Sequence, residues 1–267
     1  MSEGNGNTGP WLAKPPESCC FKGVMHSGTP RGHFEEYAGL RTYVSHPADK
    51  PASADAARRV LLYFTDVYGI YTNALLVMDS FADAGYLVVG ADYLRGDSFW
   101  KHQDKDGNDL PTWDRKAWVA ERIADCNESV PVWTAAIKAA HGGPETKYAC
   151  VGYCFGAPYV CRALAVGDAA VGAFAHPASL QDSHFRDIKG PLFLACTDVD
   201  FTFPPEARRQ AIDILRTEKK TWQLQLFTDI DHGFALRGDM DNPYQRYVKE
   251  ASFSAMLAWL NHWLALA

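Results

Sequence analysis

The chain has 267 residues, of which 47% are hydrophobic, 13% are aromatic and 22% are charged. This composition is sufficient for a sizeable hydrophobic core and excludes an intrinsically disordered protein. The net charge is -6, and no run of basic residues is present that could follow a phosphate backbone. We therefore expect no nucleic-acid partner.

Membrane insertion and secretion are not expected either. No stretch approaches the roughly 18 consecutive apolar residues of a membrane helix. The opening sequence MSEGNGNTGP lacks the basic and apolar regions of a secretory signal. Seven cysteines is an odd number, and four of them lie in apolar segments, which favours reduced thiols over a disulfide framework. These features predict a cytoplasmic protein.

The start of the chain predicts a tail and then one domain. Residues 1–20 are rich in Gly, Pro, Ser and Asn, without periodicity, and predict an N-terminal tail before a single domain over 21–267. The first regular pattern, at 34–47, has short aromatic and β-branched runs on both sides of Ala38-Gly39, which predicts a β-hairpin.

After the hairpin, apolar runs of strand length alternate with segments of helix length. This alternation is typical of an α/β fold, with a mostly parallel central sheet and helices on both faces. Strands are predicted at 59–67, 86–94, 148–154, 170–178, 191–199 and 222–230. Helices are predicted at 73–84, 114–141, 155–166 and 205–218. An apolar stripe in the last segment, which includes Met256 and Leu260, predicts a closing helix that docks on the sheet.

The sharpest motif is Gly152-Tyr153-Cys154-Phe155-Gly156, placed where a predicted strand meets a predicted helix. A nucleophile elbow requires small residues two positions on either side of its apex, because the turn is tight. Here the apex is Cys154, and the N-terminus of the following helix would favour its thiolate. The N–H of Phe155 is then a candidate oxyanion donor. The same string could instead mark only close packing of strand and helix.

A cysteine nucleophile needs a base, and the base needs a carboxylate that orients it. Asp200 and His232 follow the last two predicted strands, in the order nucleophile, acid, histidine that α/β-hydrolases share. Asp198 is an alternative acid, and either aspartate could instead cap the helix that follows. His232 could also be an ordinary loop histidine.

Together these residues resemble the dienelactone hydrolases, the cysteine-dependent branch of the α/β-hydrolases. The resemblance extends from about Cys19 to the C-terminus, and its N-terminal motif is similar to the fungal members in particular. The matching segments are C-C-x-x-G-x-x-H-x-G-T-P at 19–30, T-D-V-Y-G at 65–69, A-D-Y-L-R-G-D at 91–97, G-Y-C-F-G-A at 152–157, D-x-x-x-P at 200–204 and H-G-F at 232–234.

The resemblance implies an α/β-hydrolase fold and a specific chemistry. A triad of Cys154, His232 and Asp200 would open a lactone or enol ester through a thioester intermediate. Asp66 would stand where bacterial members carry a glutamate that holds the resting thiol, although aspartate is one methylene shorter. The N–H of Val67, after the first long strand, would be the second oxyanion donor.

Candidate substrate-binding residues lie in the same predicted loops. A substrate carboxylate would need a cation, and Arg95 and Arg237 are candidates in loops at the catalytic edge of the sheet. His176, at the end of a predicted strand, could line the pocket or be a structural histidine with its hydrogen bonds satisfied. Trp100, in the long segment after Arg95, is a candidate pocket wall or lid for a flat, apolar substrate.

The predicted enzyme therefore acts on a small-molecule lactone or ester. No cofactor is expected: the one G-x-G-x-x-G string, at 4–9, lies in the predicted tail and follows no predicted strand, and a phosphate-loop lysine is absent. No metal is expected, since the adjacent Cys19 and Cys20 do not form the separated C-x-x-C of a zinc site. Two other classes stay open: a non-hydrolytic isomerase, cyclase or lyase in which His232 and Asp200 transfer protons, and a non-catalytic module that binds a ligand or senses thiol chemistry.

Overall fold

The computed structural model describes residues 9–16, 24–47 and 58–267. Its strands are β1 (Trp11–Ala13), β2 (His33–Tyr37), β3 (Leu40–Ser45), β4 (Arg59–Phe64), β5 (Leu87–Ala91), β6 (Lys147–Tyr153), β7 (Val171–Ala175), β8 (Leu180–Gln181), β9 (Leu192–Thr197) and β10 (Trp222–Phe227). Its helices are α1 (Thr72–Asp83), α2 (Arg115–His141), α3 (Ala157–Val166), α4 (Asp182–Arg186), α5 (Pro205–Thr217), α6 (Phe234–Arg237) and α7 (Pro243–Leu266). Among these helices none is both long and apolar enough to cross a membrane.

Eight of the described strands form one sheet, in the order β10-β9-β7-β6-β4-β5-β3-β2. Neighbouring strands from β10 to β5 run parallel. The hairpin of β2 and β3 is antiparallel and joins the sheet on β5. The α/β architecture that the alternating pattern predicts is confirmed.

Each face of the sheet is covered by helices. Alternate residues of a strand point to opposite faces, and in β4 Leu62 belongs to one buried cluster while Leu61 belongs to the other. Helices α2, α3 and α5 cover the first face, and α1 and α7 cover the second. Met256 and Leu260 of α7 are fully buried, as the apolar stripe predicts.

All six predicted strands extend past the ends of the observed strands, five of them by more than one residue. The sheet strands β4, β5, β7, β9 and β10 stop two or three residues before the predicted ends. The residues just beyond them remain buried, for example Val67, Leu94 and Ala178. Hydrophobicity therefore continues where the strand pairing has already stopped, and a pattern of burial cannot locate that boundary.

Part of the predicted N-terminal tail is packed on the domain. Strand β1 pairs antiparallel with β8, and Ala13 is fully buried. The backbone of Lys14 then bridges two loops: its N–H donates to Thr202 O at 2.6 Å, and its carbonyl accepts from Ser179 N at 2.9 Å. Residues 17–23, which carry part of the N-terminal motif, lie outside the described residues.

The predicted turn between β6 and α3 is tight because two backbones approach closely. Cys154 at its apex has a left-handed φ of 51°. A Cβ on Gly152 would lie 2.6 Å from Gly156 O, and a Cβ on Gly156 would collide with the backbone carbonyl of Phe64 on β4. Only residues without a Cβ fit at both positions, which explains the G-x-C-x-G spacing.

We expect Gly156→Ala to lower the free energy of unfolding by about 2 kcal/mol, since overpacking against backbone forces a local shift. Urea unfolding monitored by circular dichroism measures this. Gly143→Ala is the matched control, because its Cβ would have Thr146 Oγ1 as the nearest neighbour at 3.6 Å. Equal stability of the two variants would contradict the packing argument.

Candidate active site

The register of β4 and β6 aligns the two candidate oxyanion donors. Phe64 pairs with Gly152, and Val67 and Phe155 follow these paired residues by the same number of positions. Both residues are buried. The carbonyl of Val67 accepts from Phe99 N at 3.0 Å, which ties the long segment after β5 to this edge.

The other candidates also follow neighbouring strands. Cys154 and His176 come directly after the last residues of β6 and β7, which pair with each other. Asp200 and His232 follow the paired strands β9 and β10 by a few residues. Because carboxyl ends of parallel strands meet at one edge, the fold gathers residues that are far apart in sequence.

Cys154 is completely buried at this edge. Its carbonyl accepts from Ala178 N at 3.0 Å, so the loop after β7 is fixed to the elbow. Left-handed backbone is costly for a residue with a Cβ and persists only where the surroundings impose it, which is common at active sites. Cys154 therefore has the left-handed backbone that is expected at the apex of a nucleophile elbow.

His232 and Asp200 form a buried pair. The Nδ1 atom of His232 lies 2.9 Å from Asp200 Oδ2 and 3.1 Å from Oδ1. Both side chains are almost fully buried. Burial alone would raise the pKa of Asp200, but His232, through charge and hydrogen bonding, and Thr202 hold this pKa below its usual value. A carboxylate at Nδ1 fixes the imidazole with Nε2 available for proton transfer.

Thr202 contacts both members of this pair, a role that the sequence motifs did not predict. Its N–H and its hydroxyl lie 2.8 and 2.7 Å from Asp200 Oδ1. The hydroxyl also lies 3.2 Å from His232 Nδ1 and 2.9 Å from Pro177 O. The D-x-T spacing is typical of a turn in which an aspartate accepts from the amide two residues later, and this signal could have identified Thr202.

The alternative acid, Asp198, does not lie against His232. Its Oδ1 atom accepts from Arg208 NH2 at 2.9 Å, and Arg208 NH1 donates to the carbonyls of Thr197 and Asp198. Asp198 thus anchors the start of α5 to the end of β9. Of the two aspartates left open by the sequence, the structure brings Asp200 to the histidine.

Asp66 and Arg237 form a second buried pair, which the sequence did not suggest. The Arg237 guanidinium bonds Asp66 Oδ2, and both side chains are essentially inaccessible. Asp66 also accepts from Tyr68 N at 3.0 Å and from Tyr71 OH at 3.3 Å. Burial raises the pKa of Asp66, and Arg237 opposes this. Burial alone would lower the pKa of Arg237, but Asp66 raises it.

This placement of Arg237 differs from the expected one. The residue ends the short helix α6 rather than lying in a loop, and it is buried rather than at a pocket mouth. The phenol ring of Tyr68 stacks 4.5 Å from its guanidinium carbon. The H-G-F sequence contains no signal for this helix because the element is only four residues long.

Arg95 and Trp100 lie toward the outside of the molecule. The Nε and NH2 atoms of Arg95 donate to Asp125 at 3.0 and 3.4 Å, and NH1 donates to Gly39 O at 3.4 Å. Gly39 lies in the hairpin turn of β2 and β3, at the far side of the sheet from β9 and β10. Trp100 is half-exposed, in a short 3-10 helix at Phe99–His102.

His176 lies inside the site and is fully buried. Its ring centroid is 4.8 Å from that of His232, in an edge-to-face arrangement. Within the described part of the chain, neither ring nitrogen has a hydrogen-bond partner. Burial lowers the pKa of His176 well below its usual value, and the charges of His232 and Arg237 act in the same direction. The side chain is therefore neutral near pH 7.

Comparisons with known proteins find similar fungal proteins. The chain is 37% identical over 258 residues to dienlactone hydrolase 1 of Gibberella moniliformis, covering 96% of this chain and 97% of that protein. It is 34% identical over 254 residues to dienlactone hydrolase 2 of the same fungus, covering 95% and 97%.

The fold is also similar to that of solved structures. The native thermophilic esterase Est2 of Thermogutta terrifontis superimposes with a TM-score of 0.62 at 16% identity, over 91% of this chain and 94% of that chain. The predicted α/β-hydrolase fold is thereby confirmed. Residues 40–264 match the model of the dienelactone hydrolase family, and the chain belongs to that family.

Proposed function

We propose that this protein hydrolyses a carboxylic ester or lactone with Cys154 as nucleophile, His232 as base and Asp200 as the acid that orients the base. The single observation that carries the proposal is the buried His232–Asp200 pair, at 2.9 Å, on the sheet edge where Cys154 has a left-handed backbone. Family membership supports a hydrolase, and the names of the two fungal relatives support the lactone class.

The proposed reaction has two halves. Nε2 of His232 takes the proton of Cys154, and the sulfur adds to the substrate carbonyl. The N–H groups of Phe155 and Val67 stabilise the oxyanion, and the intermediate collapses to a thioester as the leaving oxygen takes the proton from His232. Water then gives a proton to His232 and attacks the thioester. The acid is released as the Cys154 sulfur leaves and takes this proton back from His232, which restores the thiol and the neutral base.

Asp66 has a positioning role in this proposal. The side-chain carboxylate of Asp66 accepts a hydrogen bond from Tyr68 N, and the backbone carbonyl of Asp66 accepts one from Gly69 N at 2.9 Å. These bonds fix the turn that carries Val67 and hence the direction of the Val67 amide. The ion pair with Arg237 holds the same carboxylate from α6. Contact of Asp66 with the resting thiol, and substrate binding by Arg95, Arg237 and Trp100, stay predictions.

We expect Cys154→Ala to reduce kcat/KM toward nitrophenyl esters by at least about 10³-fold, since removal of a nucleophile leaves only binding and oxyanion stabilisation. Initial rates measured by nitrophenolate release test this. Cys161→Ala is the matched control: Cys161 is also buried, and burial raises the pKa of its thiol. The control should retain activity to within about three-fold.

Full activity of Cys154→Ala would refute the assignment of Cys154 as the nucleophile. An isomerase or lyase in which His232 and Asp200 only transfer protons predicts no acyl adduct on Cys154 after mixing with an activated ester. A non-catalytic module predicts no turnover by the wild-type protein with any ester or lactone.

The choice between the two aspartates gives a second prediction. Asp200→Asn should lower kcat by about 10²–10⁴-fold, because an amide no longer fixes the tautomer that leaves Nε2 free to accept a proton. Asp198→Asn should stay within about three-fold of wild type, since Asp198 contacts Arg208 rather than His232. The two kcat values at pH 7 test this, and a larger loss in Asp198→Asn would reverse the assignment.

A further inference from the structure

His176 is a buried polar side chain that the proposed reaction does not use. The packing around it is aromatic: the ring centroids of His232, Phe234 and Tyr153 lie at 4.8, 5.3 and 5.9 Å. Its backbone N–H donates a hydrogen bond to Ala195 O at 2.8 Å, whereas neither ring nitrogen has a hydrogen-bond partner among the described residues. A buried polar group without a partner costs about 1–3 kcal/mol.

The strained backbone at His176 adds a second free-energy cost. Its φ is 37°, which is left-handed, although the residue has a Cβ. Strained backbone is concentrated at active sites and ligand-binding sites, and a buried polar group without a partner requires an explanation such as a contact with a ligand. A purely structural position would be more stable with an apolar side chain or with a histidine whose ring is hydrogen-bonded. His184 is such a histidine: its Nδ1 accepts a hydrogen bond from Gln181 N at 2.9 Å.

We propose that His176 binds the substrate: one of its ring nitrogens hydrogen-bonds a hydroxyl group of the substrate, apart from the carbonyl that Cys154 attacks. This inference rests on the proposed function, since it assumes that the substrate reacts at Cys154. It names the substrate class as a hydroxylated ester or lactone.

A hydroxyl fits this position better than a carboxylate. A neutral imidazole has one donor and one acceptor nitrogen, and a hydroxyl can pair with either. A carboxylate would have to lose its hydration beside cations that are already engaged. Arg237 is paired with Asp66, and Lys249 donates to the carbonyls of Ala235 and Leu236 at 3.1 and 3.0 Å.

The test compares nitrophenyl esters of four acids: butanoate, α-hydroxybutanoate, β-hydroxybutanoate and succinate. For the wild-type protein we expect kcat/KM for at least one hydroxy ester to exceed that for the butanoate ester by about ten-fold or more, because a site with a buried polar group rejects a substrate that leaves it unpaired. The succinate ester, which carries a carboxylate, should react no faster than the butanoate ester.

His176→Phe keeps a ring and removes both nitrogens. Its preference for the hydroxy ester should fall to less than about two-fold, mainly through loss of the hydroxy ester's kcat/KM. His184→Asn is the matched control, because the Asn oxygen can accept the Gln181 N–H bond; its preference should equal that of wild type. The inference is overturned if wild type has no preference, if succinate is preferred, or if His176→Phe keeps the preference.

The wild-type comparison needs no variant, so the inference stays falsifiable even if His176→Phe does not fold. Cys154→Ala is assayed on the butanoate ester in parallel. If that variant is inactive and wild type has no hydroxyl preference, the hydrolase proposal stands and only the role of His176 fails. If Cys154→Ala is active, the hydrolase proposal itself fails.

Discussion

The close contact between β4 and the turn after β6 is the constraint on which the site depends. Gly156 packs against the carbonyl of Phe64, and no side chain fits between them. The turn is therefore held in a conformation that places Cys154 at φ 51°, at a cost of about 1–3 kcal/mol that the surrounding sheet must offset. Parallel pairing of Phe64 with Gly152 also brings the turns that carry Val67 and Phe155 to the same edge of the sheet, where we propose that their amides act as oxyanion donors.

The site also contains buried carboxylates, and each of those described below has a partner. Asp200 faces His232, and Asp66 faces Arg237, so these two buried carboxylates each have a specific cationic or hydrogen-bonding partner. Removing one member of such a pair would leave an uncompensated charge, which costs about 3–5 kcal/mol. His176 differs because no partner among the described residues satisfies its ring. This contrast distinguishes the paired side chains from His176, which we propose binds the substrate.

The alternating pattern predicted the succession of the long strands and helices from β4 onward, but not the short elements β1, β8, α4 and α6. The G-x-C-x-G spacing predicted the elbow. The sequence favoured Asp200 over Asp198 because Asp200 lies past the end of the strand, and the structure places Asp200, not Asp198, against His232. The burial of Arg237 could not be predicted, because a helix of four residues has no readable periodicity. The unsatisfied ring of His176 depends on which side chains surround it, and those come from separate segments of the chain.

The claim that Cys154 forms a covalent thioester is tested most directly by trapping that intermediate. The protein is mixed with a nitrophenyl ester, quenched in acid within the first turnover, digested and analysed by mass spectrometry. The account predicts an increase equal to the acyl group on the peptide that contains Cys154, and none on the peptides of Cys126 or Cys196. Catalytic turnover with no acyl group on Cys154, or an acyl group only on another residue, would contradict it.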